Sequence, residues 1–443
     1  MQVVTDWFNL IGGWVWGPAL LILLVGTGLF YTVRLGGLQF RALPKALRLA
    51  FSPTPQSADA PGDISQFQAL MTALAGTIGT GNIAGVATAV VLGGPGAIFW
   101  MWLSALVGMA TKYAEAYLAI YFRVRDSKGQ MAGGPMYYLE RGLGMKSLAI
   151  MFAVCGMIAA LGTGCSVQSN SVAQAVLNTF GLPGWVTGIV LTTVTGLVLL
   201  GGIRSIAKVT SLIVPAMALL YLGGGLIILI TNYELVLPAI NVIFQDAWTG
   251  QAVAGGAIGA VIRYGVARGV FSNEAGIGTA PIAAAAAKTQ SPNEQALVSM
   301  TGTFLDTIVV CSVTGIVLVM ANQFGHGVTG AALTSNSFEM LLPGVGGWVV
   351  TVGLIFFAYS TILGWSYYGE KCAAYLFGED VVGPYRITYT GFVMLGTLIS
   401  LDLVWAVADV FNGLMAFPNL IGLLLLSGIV VKQLQPQPLS VRE

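Results

Sequence analysis

Apolar segments long enough to cross a lipid bilayer recur along almost the whole chain. A membrane-spanning helix needs about 20 predominantly apolar residues. Eleven segments meet that requirement, at 14–34, 66–92, 96–122, 147–177, 183–202, 210–231, 253–287, 297–322, 346–377, 384–403 and 411–432. Only 8% of the residues are charged, whereas soluble domains carry about 25%. The sequence therefore predicts an all-α polytopic membrane protein with eleven transmembrane helices and the lipid bilayer as its solvent.

Basic residues occupy every second loop between these segments. They are Arg34, Arg41, Lys45 and Arg48 after span 1, Arg123, Arg125, Lys128, Arg141 and Lys146 after span 3, Arg204 and Lys208 after span 5, Lys288 after span 7, and Lys371 and Arg386 around the loop after span 9. The loops after the even-numbered spans contain no lysine or arginine. Because cytoplasmic loops are enriched in these residues, the pattern predicts a multi-pass plasma (inner) membrane protein with its N-terminus outside and its C-terminus in the cytoplasm.

The spacing of the apolar segments repeats after about 200 residues. Spans 3 to 6 begin at 96, 147, 183 and 210, and spans 8 to 11 begin at 297, 346, 384 and 411. Two units of five spans therefore follow one another, and an odd number of spans gives them opposite orientations. Such inverted repeats are typical of secondary transporters. We expect an extra N-terminal helix and linker at 1–65, repeats at 66–231 and 253–432, and a cytoplasmic tail at 433–443.

The first helix of each repeat contains a polar, glycine-rich interruption. The runs are Gly76–Asn82 in span 2 and Phe271–Gly278 in span 7. Glycine inside a helix costs about 1 kcal/mol relative to alanine, and Pro281 suits the first turn of a restarted helix. Glycines that merely allow close helix packing are the alternative. Two breaks at equivalent repeat positions favour unwound backbone, which is tolerated at membrane depth where it lines a cavity.

Unwound backbone at these breaks offers both donors and acceptors. The amides of Thr80, Gly81 and Asn82 would lie at a helix N-terminus, which attracts a carboxylate. The carbonyl groups preceding them, at Ala75, Thr77 and Ile78, would attract a cation. A zwitterion and a hard monovalent cation suit that pairing.

The net charge of +1 gives no case for nucleic acid, and one histidine with four scattered cysteines predicts no bound cofactor or structural metal.

Five longer motifs lie at the breaks and elsewhere along the chain, at Thr77–Ala87, Gly93–Gly96, Ala132–Tyr137, Gly269–Gly276 and Gly364–Lys371. Together they resemble the alanine or glycine:cation symporter family. The resemblance covers nearly the whole chain. It implies a LeuT-like fold of five plus five helices and sodium-coupled uptake of alanine or glycine, and it leaves the enantiomer of alanine and the oligomeric state open. It also implies that no enzyme activity is present.

The resemblance assigns roles to individual residues. The Ala75 and Ile78 carbonyls, with Ala358 and Thr361, would form a sodium site, and the Thr80 and Gly81 amides would hold the substrate carboxylate. The full set of expected substrate-binding residues is Thr77, Gly79, Thr80, Gly81, Asn82, Gln168, Asn170, Phe271, Ser272, Asn273, Gly276, Thr361 and Trp365. Gln168 and Asn170 cannot share one helix face. The resemblance favours the run Gln168–Asn170 without choosing between them, and we favour Asn170.

Charged residues at membrane depth are costly and usually paired or functional. We expect Lys112 and Glu115, three residues apart, to neutralise each other. Glu274, Arg268 and Asp306 are candidates for gating or coupling. The pocket is expected to be small, with Phe271 and Trp365 as walls and Ile277 and Met300 nearby.

Three other functions compete with sodium symport. A proton-coupled permease of the same fold would use Glu274 or Asp306 as its proton carrier. A channel is disfavoured because the sequence shows no continuous polar stripe. A membrane-embedded enzyme is disfavoured because no paired carboxylates or Ser/His set share a depth.

Overall fold

The structure is a computed structural model that describes residues 2–52, 60–249, 258–325, 327–399 and 401–432. The tail expected at 433–443 lies outside these residues, as do the first residues of the span expected at 253–287. Almost all regular structure in the described ranges is helical.

The described residues of the first part of the chain form eleven α-helices, of which α4 to α11 cover the first expected repeat. They are α1 (Gln2–Val15), α2 (Pro18–Arg34), α3 (Leu38–Phe51), α4 (Gln66–Thr77), α5 (Val86–Gly93), α6 (Ala97–Tyr121), α7 (Pro135–Leu143), α8 (Lys146–Leu161), α9 (Val167–Phe180), α10 (Gly184–Leu200) and α11 (Gly202–Thr231). A two-residue antiparallel pair, β1 (Val124–Arg125) and β2 (Met131–Ala132), precedes α7.

The second part of the chain continues the helical pattern. Its helices are α12 (Tyr233–Thr249), α13 (Ile258–Asn273), α14 (Ala280–Ala285), α15 (Pro292–Thr303), α16 (Ser312–Ala321), α17 (Gly330–Leu341), α18 (Gly346–Phe377), α19 (Val382–Gly396), α20 (Leu401–Leu425) and α21 (Ser427–Lys432). Wider π-helical turns at Gly81–Gly85, Gly162–Ser166 and Phe304–Cys311 and a 3-10 turn at Glu379–Val381 complete the described helices.

Five helical segments of the described chain are long and apolar enough to cross a membrane. They are Lys146–Phe180, Gly202–Thr231, Pro292–Ala321, Gly346–Phe377 and Val404–Leu425. Two sharply bent helix pairs raise that number to seven if each pair is one span. The membrane-protein class and its interrupted helices are therefore confirmed, while the count of eleven spans stays a prediction.

The first bent pair begins earlier than the expected span, and the second begins at the expected residue 66. Val4–Val15 and Pro18–Arg34 meet at 40°, so the span expected to begin at residue 14 is only the second half of a longer bent element. Pro18 occupies the first turn of α2, where its missing N–H is tolerated, but it cannot continue the hydrogen bonding of α1. The second pair, Gln66–Thr77 and Gly81–Gly93, bends by 50° at the predicted interruption of span 2.

Beyond α1 and α3, three more helices of the described chain lie outside the eleven expected spans. They are α7, α12 and α17, and their mixture of polar and apolar residues falls short of a membrane-spanning pattern. α12 supports the turn that leads into α6, because Asp246 accepts a hydrogen bond of 2.8 Å from the Gly96 amide. These helices therefore have structural contacts that hydropathy alone does not show.

Small residues let α18 approach α4 closely. An added Cβ at Gly364 would lie 2.7 Å from the Gly76 nitrogen, and one at Gly76 would lie 2.8 Å from the Tyr368 hydroxyl. Close approach at small residues is the usual way in which membrane helices pack. This contact brings the middle of α18 against the end of α4, where the first break begins.

Candidate functional site

Residues from both breaks line one small cavity, called the central cavity below. Its walls are Gly76, Thr77, Gly79, Gly81, Thr163, Gln168, Phe271, Glu274, Thr361 and Trp365. Its volume is about 10 Å³, which is room for roughly one water molecule. The structure thus brings α4, the turn before α9, the end of α13 and the middle of α18 together around a contracted space.

The first break is stabilised by side chains that replace helical hydrogen bonds. α4 ends at Thr77, and Ile78 adopts an extended conformation with ψ of 95°. The Gly79 amide donates to Asn82 Oδ1 at 2.9 Å, and the Thr80 amide points to Gln168 Oε1 at 3.4 Å. The Asn82 amide, expected to be free, donates to the Gly79 carbonyl at 3.3 Å. The break therefore forms a capped turn rather than an open row of three amides.

Thr361 lies at the carbonyl side of this break. Its hydroxyl is 3.4 Å from the Ile78 carbonyl oxygen and donates to the Phe357 carbonyl at 2.9 Å. An added Cβ at Gly79 would lie only 2.4 Å from this hydroxyl. Two of the expected sodium ligands, the Ile78 carbonyl and the Thr361 hydroxyl, are thus adjacent.

The other two expected sodium ligands lie in different backbone settings, because Ala75 is in the last turn of α4 before the break whereas Ala358 is inside α18. Ala75 and Ala358 have no exposed surface. α18 runs as an α-helix from Gly346 to Phe377, so no local distortion frees the Ala358 carbonyl for an ion. A regular helix leaves each carbonyl directed along its own axis, which explains why Ala358 is not set apart from its neighbours.

Trp365 and Gln168 position polar groups around the cavity. The Trp365 indole donates to the Gly76 carbonyl at 3.1 Å. Gln168 donates to the Thr163 carbonyl at 3.1 Å while its oxygen faces the Thr80 amide. The Thr163 hydroxyl is buried without a hydrogen-bond partner among the described residues. Thr163 was not predicted, although the sequence Gly162-Thr163-Gly164 shares the glycine-rich character of the breaks.

Asn170 faces away from the cavity, which corrects the preference for it over Gln168. Its amide nitrogen donates to the carbonyls of Gly396 and Ile399, each at 2.8 Å. Both acceptors lie at the end of α19, so Asn170 joins α9 to α19. Residues that are two positions apart on a helix point about 200° apart around its axis. The wider turn before α9 directs Gln168, and not Asn170, toward the cavity.

A buried hydrogen-bond cluster joins the two breaks beside the cavity. Asp306 accepts from the Asn82 amide group at 2.7 Å, from the Ser272 hydroxyl at 2.9 Å and from the Thr307 hydroxyl at 2.8 Å. Asn273 donates to Thr307 at 3.0 Å. Asn82, Ser272 and Asn273 were expected to touch substrate but do not line the cavity in this conformation. Asn82 and Ser272 instead bind the Asp306 carboxylate, and Asn273 binds the Thr307 hydroxyl, both on the π-helical turn after α15.

The second break turns a carboxylate toward the cavity. Glu274 adopts a left-handed conformation with φ of 56°, which is uncommon for a residue with a side chain. Its carboxylate accepts a hydrogen bond of 2.6 Å from the Thr279 hydroxyl. Glu274 lines the cavity, so a residue predicted for gating or coupling is directly at the candidate site.

Gly276, by contrast, belongs to a separate contact. Its amide donates to Glu115 at 3.0 Å, and its carbonyl accepts from Asn419 at 2.8 Å. Asn419 also donates to Glu115 at 2.7 Å and accepts a hydrogen bond from Tyr138. The chain reverses direction after Glu274, and this places Gly276 against α6 and α20 instead of the cavity.

Lys112 does not pair with Glu115 as expected. The described residues contain no ion pair of Lys112, and its ammonium group is buried without a hydrogen-bond partner. Glu115 instead binds Gly276 and Asn419. Ile277 and Met300 are fully buried but do not line the cavity.

Arg268 lies on the other side of Phe271. Its guanidinium carbon is 5.7 Å from the centroid of the Phe271 ring. Phe271 lines the central cavity and also a second cavity that contains Arg268 and Asp409. Phe271 therefore separates the central cavity from this larger one.

Arg123 binds backbone carbonyl groups near the end of α14, the short helix that follows the second break. Its guanidinium donates to the carbonyls of Ala285, Ala287, Pro61 and Thr289 at 2.7–3.0 Å. Burial lowers the pKa of Arg123 from its ordinary value, and the nearby Asp63 carboxylate opposes that shift. These bonds join the linker before α4 to the segment after α14.

Comparisons with known proteins agree on both family and fold. The Sodium:alanine symporter family matches residues 1–437. The chain is 58% identical over 433 residues to the sodium/alanine symporter AgcS of Methanococcus maripaludis, covering 96% of this chain and 95% of that protein. It is 36% identical over 439 residues to the probable sodium/glutamine symporter GlnT of Bacillus subtilis, covering 98% and 91%.

Solved structures show the same arrangement of helices at low sequence identity. The structure of MhsT in complex with L-phenylalanine aligns with a TM-score of 0.60 at 13% identity, covering 86% of this chain and 99% of that one. The fold is therefore LeuT-like, as the sequence predicted. The family match over residues 1–437 and the 58% identity to AgcS show that the chain belongs to the sodium:alanine symporter family.

Proposed function

We propose that this protein is a sodium-coupled symporter that carries alanine or glycine across the plasma membrane by alternating access. The observation that carries this proposal is the meeting of two broken helices at a small polar cavity. Backbone groups of the first break, the Gln168 and Thr361 side chains and the Glu274 carboxylate all reach that cavity. The high identity to a sodium/alanine symporter supports alanine as substrate.

The substrate carboxylate would bind at the Thr80 and Gly81 amides, where the helix resumes after the break. Helix N-termini favour negative groups. The substrate ammonium would face Glu274 and the Gln168 oxygen. Phe271 and Trp365 wall the same space, and a cavity this contracted favours a side chain no larger than a methyl group. Binding requires one of these aromatic walls to move outward.

Sodium would bind where the Ile78 carbonyl meets the Thr361 hydroxyl. Sodium prefers oxygen ligands, and these two oxygens are 3.4 Å apart. The Ala75 carbonyl at the end of α4 is the proposed third ligand, and the Ala358 carbonyl would join it when α18 distorts locally on ion binding. Substrate and ion sites on the two sides of one break would be coupled, because ordering the break for one ligand favours the other.

The proposed membrane arrangement follows from hydropathy and charge. Eleven spans, an N-terminus outside and a C-terminus in the cytoplasm account for the basic loops. The first repeat would cover 66–231 and the second 253–432. With this orientation, the Arg123 contacts close the cytoplasmic side of the central cavity and Arg268 lies on the outer side.

Uptake of labelled alanine into proteoliposomes tests this function. We expect uptake with an inward sodium gradient and none when potassium replaces sodium. Alanine and glycine should compete strongly, whereas leucine and glutamine should compete weakly. Equal competition by leucine would contradict the small-pocket proposal, and sodium-independent uptake would contradict the coupling.

One observation favours proton coupling as a second candidate. Glu274 is a buried carboxyl group at the cavity wall, and a carboxyl group so placed can carry a proton with the substrate. An inward pH gradient without sodium distinguishes the two, since it should drive alanine uptake only if a proton replaces sodium. Glu274→Gln should then abolish that uptake.

A further inference from the structure

A basic helix, α3, follows the first bent helix pair and has its charged side chains exposed. It starts after a turn at Gly36 and Gly37, which both have positive φ. Arg41, Lys45 and Arg48 are exposed, and no ion pair of these three side chains occurs within the described ranges. Spacings of four and three residues place them on one helix face. α3 therefore presents three positive charges to an anionic partner.

The sequence around α3 is basic without any compensating acidic residue. Residues 7–58 contain no Asp or Glu and four basic residues, of which Arg34 is the fourth. Arg34 lies in the last turn of α2 and is exposed as well. Clusters of about four to eight Lys and Arg on the cytoplasmic side of a membrane-spanning helix are typical of anionic-lipid binding. The proposed orientation places α3 on that side.

The other sides of α3 suit a position in the membrane interface. Gln39, Ala46 and Ala50 are buried against the rest of the protein. Phe40 and Phe51, by contrast, are 58% and 54% exposed, and because they are about three helical turns apart they lie on one side of α3. A helix with aromatic residues on one side and basic residues on another lies in the interface plane, with its rings at the acyl boundary. A phospholipid matches both of these sides, since it offers acyl chains to the rings and an anionic headgroup to the cations.

Contacts of α3 connect it to the helices that carry or support the two breaks. The Gln39 amide group donates to the Thr32 hydroxyl at 2.8 Å and to the Leu106 carbonyl at 3.3 Å, which joins α3 to α2 and α6. The Phe51 ring centroid lies 6.4 Å from that of Phe67, in the first turn of α4. α3 also packs against α15, which precedes the π-helical turn beside the second break. A partner that holds α3 therefore acts on the supports of both breaks.

From these features we propose that α3 is a binding surface for the headgroups of anionic phospholipids, and that headgroup binding speeds transport. The bound headgroups fix α3 in the interface, where it serves as a stationary support for the movement of α4. The binding surface rests on the charge and geometry of α3, whereas the effect on transport rests on the proposed function.

Native mass spectrometry of the purified protein with phosphatidylglycerol and phosphatidylcholine of identical acyl chains tests the binding surface. We expect the wild type to bind phosphatidylglycerol roughly tenfold more tightly than phosphatidylcholine. Raised salt should reduce this preference, because exposed charges are screened. Arg41→Gln/Lys45→Gln/Arg48→Gln, called the α3 variant below, should bind both lipids alike. Retention of the wild-type preference by the α3 variant would overturn the proposal.

A matched control removes the same charge from exposed positions outside α3, by Arg125→Gln, Arg141→Gln and Lys146→Gln in one chain. It should keep the lipid preference of the wild type. A loss equal to that of the α3 variant would show a response to net charge alone and overturn the assignment to α3.

Alanine uptake at saturating sodium tests the effect on transport. In vesicles that contain phosphatidylglycerol with phosphatidylcholine, wild-type uptake should be severalfold faster than in phosphatidylcholine alone, and the α3 variant should be equally slow in both. Equal wild-type rates in the two kinds of vesicle would overturn the coupling of α3 to transport. Absence of wild-type uptake from both would instead contradict the symport proposal, and the lipid preference seen by mass spectrometry would still decide the binding surface.

Discussion

The two helix breaks are stabilised by different kinds of hydrogen-bond partner. The break between α4 and α5 bends by 50° and is held mainly by amide groups of its own segment and of Gln168. The break between α13 and α14 is held by carboxylates: Asp306 binds Ser272, Glu115 binds Gly276, and Glu274 takes the left-handed conformation. The first break is thus supported mostly by neutral groups, with the Asp306 carboxylate binding only its Asn82 side chain, and the second break is supported mostly by buried carboxylates.

This difference suggests a division of roles. The neutral break leaves backbone groups near Thr361, where a small ion or a carboxylate can replace a weak hydrogen bond. The charged break is tied through Glu115 and Asn419 to α6, α20 and α7, so its movement must involve those helices. We expect changes at the first break to act on ligand affinity and changes at the second to act on stability and conformational change.

The largest effect on transport should come from Gly79→Ala. Its new Cβ would lie 2.4 Å from the Thr361 hydroxyl, and overpacking of about 1–3 kcal/mol would act on substrate and sodium positions together. We expect alanine uptake in proteoliposomes to fall to background. Gly85→Ala, where a Cβ meets nothing within 4 Å, should retain wild-type uptake; equal loss in both variants would contradict the proposed position of the site.

Gly278→Ala should lower the stability of the folded protein at the second break rather than weaken ligand binding. Gly278 has φ of +98°, and an added Cβ would lie 2.7 Å from Pro135 and 2.8 Å from Phe152. We expect a clear fall in the melting temperature of the purified protein, with lower yield. Gly259→Ala on α13, which has open space around its Cβ position, is the control. An unchanged melting temperature would show that this break tolerates side chains.

Thr361→Ala should make transport require more sodium. A ligand or hydrogen bond to a charged group is worth about 1.5–3 kcal/mol, so the half-saturating sodium concentration should rise by roughly tenfold to a hundredfold. Alanine affinity should recover at saturating sodium. Thr361→Ser keeps the hydroxyl and should behave almost as wild type. An unchanged sodium requirement in Thr361→Ala would place the ion elsewhere.

Gln168→Ala and Asn170→Ala should differ although they are two residues apart. Gln168 lines the cavity, whereas Asn170 binds carbonyls at the end of α19. Loss of one neutral hydrogen bond, about 0.5–1.5 kcal/mol, should weaken alanine binding by roughly twofold to tenfold in Gln168→Ala. Asn170→Ala should keep wild-type affinity and lose some thermal stability. Calorimetry that finds the opposite order would restore Asn170 as the substrate contact.

The smallest effect should come from Glu115→Gln. The amide oxygen of glutamine can still accept from Gly276 and Asn419, but hydrogen bonds to a neutral acceptor are weaker than those to a carboxylate. We expect a loss of about 1 kcal/mol in stability, measured as a modest fall in melting temperature. Glu115→Ala, which leaves both donors unpaired, should lose more. Equal stability of the two variants would show that this contact does not hold the break.

The sequence by itself determined the membrane class, the family and the positions of both breaks. Apolar segments and glycine-rich polar runs are local properties, and the chemistry of Gly76–Asn82 follows from the backbone alone. Hydropathy also located α18 at its observed bounds of Gly346–Phe377. It could not reveal α12 or the bend before α2, because neither produces a long apolar run.

Only the tertiary structure decided which side chains reach the cavity. Gln168 and Asn170 are equally polar, and their directions depend on the wide turn at Gly162–Ser166 and on the free carbonyls of α19. Glu115 binds Gly276 rather than Lys112 because the second break brings an unpaired amide to it. Spacing along a helix identifies possible neighbours, but hydrogen-bond partners from distant segments determine which groups are satisfied and which remain available to a ligand.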